Sequence, residues 1–176
     1  MSKIKFKVDE KKTIEVILYL SNHLSTPTKM DIAKLMYFAD KASLEKYGRF
    51  ISHDSYVAME HGPVPSHAYD IMKAAEDSEN YGFHVEGNYI KPDRDADTDE
   101  LSDSDIECLD KVIDSYGKFP TYELRNFSHD EAWAKVWAER GNKGSNPMPV
   151  EDIVETLDEE QVEGLLDYLQ NQHNDE

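Results

Sequence analysis

Apolar residues recur at helical spacing through much of the chain. In DEKKTIEVILYLSNHL, Ile14, Ile17, Leu18 and Leu24 fall near one face and predict a first amphipathic helix. The next stretch, TPTKMDIAKLMYFADKASLEKYG, opens on Thr28-x-x-Asp31, a helix-capping pattern. It carries Ile32, Leu35, Met36 and Ala39 along one face and meets a stop at Gly48. The two helices are expected to form an antiparallel or crossed pair. The period then changes: Tyr56, Ala58 and Glu60 alternate with Val57 and Met59, as in a short strand. VAMEHGPVPSHAYDIM turns from that strand through Gly62, Pro63 and Pro65 into a helix containing Ile71, Met72 and Ala75, with Ser66 as its expected cap. Pro63 and Pro65 donate no backbone hydrogen bond, so the sheet is expected to end at the His61 to Pro65 corner. In FHVEGNYIKP, Gly87-Asn88 marks a two-residue hairpin turn, and the sheet should hold two or three strands.

KPDRDADTDELSDSD reads as a solvated acidic loop. Ser102-x-x-Asp105 opens the next helix, lined by Ile106, Leu109, Ile113 and Tyr116, and Pro120-Thr121 starts a short one. Ser128-x-x-Glu131 predicts a capping box for a helix that sets Trp133 and Trp137 one turn apart and ends at Gly141. GNKGSNPMPVED has the composition of a linker. Asp158-x-x-Gln161 then opens a final acidic helix with Leu165, Leu166 and Leu169 inside. The expected fold is α+β and predominantly helical, a compact helical domain with a small antiparallel sheet. The expected domain spans 1–141, with 142–176 a linker and an acidic helix packed on or appended to it.

Composition narrows what such a domain meets. The chain has 176 residues, 39% of them hydrophobic, which is enough for one core, while 32% are charged. Nineteen Lys and Arg against 37 Asp and Glu give a net charge of −18, which repels phosphate backbones and anionic lipid and attracts basic proteins. Nucleic acid and membrane are therefore poor partners. The charge is uneven: the first 47 residues hold nine Lys and six acids, whereas 151–176 hold ten acids and no Lys or Arg. A single cysteine, Cys108, excludes an internal disulfide and a Cys-based zinc site. With no signal-like amino terminus and no membrane-length apolar run, the expected location is the cytoplasm.

Candidate chemistry is sparse. Asp93, Asp95 and Asp97 mimic the start of a calcium loop, but Thr98 stands where the turn needs Gly and Ser104 where a bidentate Glu is needed. His53, His61, His67 and His84 lack the i,i+4 spacing with Glu of a zinc site, so no metal and no cofactor is expected. Cys108 falls beside the apolar face of its helix, as an inert buried thiol does. Trp133 and Trp137 suit either a core or a binding hot spot, with His129 one turn before Trp133. Two further readings stay open: a small enzyme using His61 or His129 as general base, and a DNA-binding autoregulator with winged-helix-like elements.

Five motifs occur in order: KLMYFAD, the Tyr47-Gly48-Arg49 turn, a strand leading into HGPV, YGKFPTYEL, and SHDEAW. From about Lys12 to Arg140 this series resembles the SocA-like antitoxin family, the Panacea domain. The resemblance implies a mainly helical α+β domain found in bacterial and prophage genomes. It also implies a non-enzymatic antitoxin that neutralises a toxin from an adjacent gene by direct binding, the toxin being basic if charge guides the pairing. Self-association is also left open. The family's KLLYF core falls on Lys34, Leu35, Met36, Tyr37 and Phe38, its GPV corner on Gly62, Pro63 and Val64, and its Ser-His and Trp on Ser128, His129 and Trp133. His61 stands where a Tyr or Trp commonly precedes the corner, and the acidic segment from Glu151 lies outside the shared pattern. The expected partner-binding residues are Lys34, Tyr37, His61, Gly62, Pro63, Val64, His129 and Trp133.

Overall fold

The computed structural model describes residues 4–174, which form a predominantly helical α+β structure with eight α-helices and five short strands among them. The two amino-terminal helices, α1 (Glu10–His23) and α2 (Lys29–Tyr47), form as their apolar spacing predicts. Asp9 caps α1 by accepting from Lys12 N. Thr28 and Asp31 exchange both bonds of the expected capping box, and Gly48 closes α2 in the left-handed region at φ 72°. One face of α2 was expected to be apolar and buried, but every residue from Ile32 to Asp40 is buried, Lys34 and Asp40 included. This helix is the centre of the molecule, and helices α4 (Asp103–Tyr116) and α5 (Thr121–Ser128) pack against it.

β1 (Tyr56–Met59) turns through Glu60 and His61 into β2 (Gly62–Pro65), so the sheet does not end at the prolines. The physical reason is alternation. Ser66 N donates to Ser55 O at 2.8 Å and Tyr56 pairs with Pro65, which places Val64 and Gly62 at the bonding positions. The absent N–H groups of Pro63 and Pro65 would point away from β1, and β2 is an edge strand, so no ladder bond is lost. The stretch whose composition resembles a linker supplies β5 (Ser145–Pro147), which pairs on the other side of β1 and gives the order β2-β1-β5. A separate hairpin, β3 (Phe83–Glu86) and β4 (Tyr89–Pro92), turns at Gly87-Asn88 as expected. It is tied to the start of α2 by Ile90 N donating to Pro27 O.

Two expected caps differ. Helix α3 (Ser66–Ala74) has no cap from Ser66. The buried Asp54 carboxylate accepts from His67 N at 3.0 Å and Ala68 N at 2.8 Å instead. Helix α6 (Glu131–Ala138) is capped by Asp130 rather than Ser128, which is the last residue of α5, and α6 ends before Gly141. A short helix α7 (Val150–Val154) precedes α8 (Glu159–Asn174), whose Leu165 and Tyr168 lie against Gly48 at the end of α2.

Candidate functional site

The Gly62 corner is seated on α2 and on the junction of α5 with α6. Gly62 has φ 108°, and a Cβ there would lie 2.5 Å from Ser128 Oγ, 2.9 Å from Lys34 Nζ and 3.3 Å from His129 Cδ2. Only glycine satisfies both the backbone and the space. Lys34 is fully buried and its Nζ donates to Pro63 O at 2.8 Å. A proline carbonyl keeps its acceptor although the ring removes the donor. Burial, reinforced by the nearby Arg125 cation, lowers the Lys34 ammonium to about 7. Gly62, Pro63 and Val64 are buried with it.

Asp130 joins the corner's helices. Its Oδ1 accepts from Trp133 N at 3.0 Å, and its Oδ2 accepts from Tyr37 OH at 2.5 Å and Lys41 Nζ at 3.0 Å. Burial and the Asp130 charge push the Tyr37 phenol far above its usual range, so it serves as a donor. The Tyr37 ring meets Tyr56 edge-on at 5.2 Å, and Tyr56 OH donates at 2.6 Å to the buried Asp40, which also accepts from Ile51 N. Burial raises Asp40 to about 7. Asp130 and Asp40 were missed in the sequence. Asp130 had a readable signal, since Asp is as good a helix cap as Ser.

From the corner outward, aromatic rings stack along α6. His129 lies on Trp133 with centroids 3.8 Å apart and planes 7° apart, Trp133 on Trp137 at 6.1 Å, and the Arg140 guanidinium 3.8 Å over Trp137. Trp133 Nε1 donates to Met59 O at 2.8 Å, fastening the stack to β1. Burial, then the Arg125 and Lys34 cations, hold the His129 imidazole below its usual range, partly offset by the His61 backbone.

All eight expected residues therefore meet in one region, but on different terms. Lys34, Tyr37, Gly62, Pro63 and Val64 are buried, His129 and Trp133 are half-buried, and His61 is exposed. Ser128 Oγ donates to Arg125 O, so its proton is not directed at His129 as a nucleophile's would be at its base. Cys108 is buried on α4, where burial pushes its thiol up. In the acidic loop, Asp93 bonds His84, Arg94 pairs with Glu15, and Asp97 caps a 3-10 turn. Among the described residues no three His, Cys, Asp or Glu side chains are placed to hold a metal ion, and no helix is long and apolar enough to cross a membrane.

The family described as Antitoxin SocA-like, Panacea domain, matches residues 32–134, from Ile32 in α2 to Ala134 in α6. The match is narrower at both ends than the span over which the motifs align, and it contains all eight corner residues. No curated protein and no solved structure matches the chain. The match covers more than half of the chain, and on it the protein belongs to the SocA-like antitoxin family through its Panacea domain.

Proposed function

We propose that this protein is a non-enzymatic antitoxin that neutralises a cognate cytoplasmic toxin, encoded by an adjacent gene, by direct protein–protein contact. Family membership carries this reading. The geometry supports a division of labour within it. Lys34, Tyr37, Gly62, Pro63 and Val64 hold the corner rigid from inside, and His61, His129 and Trp133 offer the partner a fixed edge. Rigid aromatic and imidazole groups lose little conformational entropy on binding, which is why such edges recur at hot spots. The acidic surface favours a basic toxin, drawn in by long-range attraction.

The adjacent reading frame, expressed with and without this protein, tests the reading. Restored growth together with a co-purifying complex is the expected result. Rescue without a complex, or a harmless neighbour, would sink direct neutralisation. His61→Ala should weaken the complex while leaving the melting temperature unchanged, because the side chain is exposed; loss of both would reassign it to the scaffold.

A further inference from the structure

The one carboxylate described at the corner, Asp130, is taken up by Tyr37, Lys41 and the Trp133 backbone, and it pairs with neither Lys34 nor Arg125. Among the described residues nine Lys and Arg side chains lie against a carboxylate. Lys34 and Arg125 are among those that do not, and of these Lys34 is the fully buried one. Lys34 is fully buried and makes one hydrogen bond where an ammonium can make three. Arg125 stands one turn before His129; the Arg125 Nε is buried without a hydrogen bond, and the buried His129 Nε2 has none of good geometry, the His61 backbone being the group within reach of the ring. The charges acting on Lys34 and His129 from this cluster are cationic. Desolvated donors left unpaired are costly, and the natural complement of a guanidinium beside an imidazole is an oxyanion.

We infer that Arg125 and His129, backed from beneath by the buried Lys34, form a receptor for a single carboxylate, an Asp or Glu side chain that the partner protein inserts at the corner. Arg125 is half-buried and His61 beside the site is exposed, so the group approaches from the partner-facing edge. A carboxylate suits the site better than a phosphate. It matches a guanidinium in two parallel bonds with one charge, whereas a dianion is repelled by a surface of net charge −18. A basic toxin carrying one acid at the contact would thus be steered by its overall charge and registered by that acid. The owner of the carboxylate rests on the antitoxin reading; the receptor itself does not.

Acetate and inorganic phosphate are the probes, titrated at constant ionic strength into the full chain while nuclear magnetic resonance follows the His129 ring and the Arg125 Nε–H. The expected result is a saturable acetate shift, weakened about tenfold or more in Arg125→Gln and unchanged in the exposed control Lys118→Gln. The melting temperature of Arg125→Gln should equal or exceed that of the wild type, because an unpaired desolvated charge has been removed. No saturable shift, or an equal one in Arg125→Gln, overturns the receptor, and phosphate binding about tenfold tighter than acetate overturns the carboxylate assignment. In a second arm, Arg125→Gln should weaken the complex with the neighbouring gene product about tenfold or more. An unchanged complex overturns delivery of the carboxylate by that partner. Absence of any wild-type complex counts against the antitoxin reading, and the acetate result then decides the receptor alone.

Discussion

At Gly62 a left-handed backbone and a filled space meet in one residue. Gly62→Ala places a methyl group against Ser128 Oγ and Lys34 Nζ at a φ of 108°, and should cost roughly 2–4 kcal/mol in denaturant unfolding. A loss under about 0.5 kcal/mol would mean that the corner yields easily. Lys34 gives the site a pH signature. Its folded value near 7 lies below the ordinary 10.5, so between those limits the unfolded chain holds a proton that the folded chain lacks, and stability rises with pH across that window. Below about 7 both states are protonated and the destabilisation is fully present. Lys34→Met should remove this rise, on the order of a few kcal/mol, and equal slopes in the two proteins would refute it.

At the scale of elements, local patterns succeeded where the bonded partners stand within four residues. The Thr28-Asp31 and Ser102-Asp105 boxes, the Gly48 stop and the Gly87-Asn88 turn are of this kind. Ser66 failed because the cap of α3 comes from Asp54, which reaches the helix only once β1 and β2 have paired. Asp54→Ala should cost about 1–3 kcal/mol, and hydrogen exchange should show the first turn of α3 losing protection before the rest of the molecule. Ser128 failed because Asp130 satisfies more groups at once. Asp130→Ala leaves Trp133 N uncapped and Tyr37 OH and Lys41 without their acceptor, so it should destabilise by roughly 3–4 kcal/mol, well beyond Ser128→Ala. Comparable losses in the two variants would refute that ranking. The prolines misled for a different reason: an edge strand with its missing donors facing outward tolerates them.

For the whole molecule, a net charge of −18 attracts basic proteins over long range and repels acidic ones. With a basic toxin, the association rate should fall several-fold between about 50 and about 300 mM salt while dissociation changes little. A salt-independent association rate in stopped-flow mixing would remove steering from the account.

The sequence alone determined the family, the helical α+β class and the course of α1, α2 and α4, because helical period, caps and motif order are written in nearby residues. Only the tertiary structure decided that α2 lies at the centre, that β5 joins β1, that Asp130 and Asp40 hold the buried tyrosines, and that Lys34 is buried without a carboxylate partner among the described residues. These relations join residues up to 93 positions apart, as in the Tyr37 to Asp130 bond. Burial and charge pairing at such separations arise from packing, which no local pattern encodes.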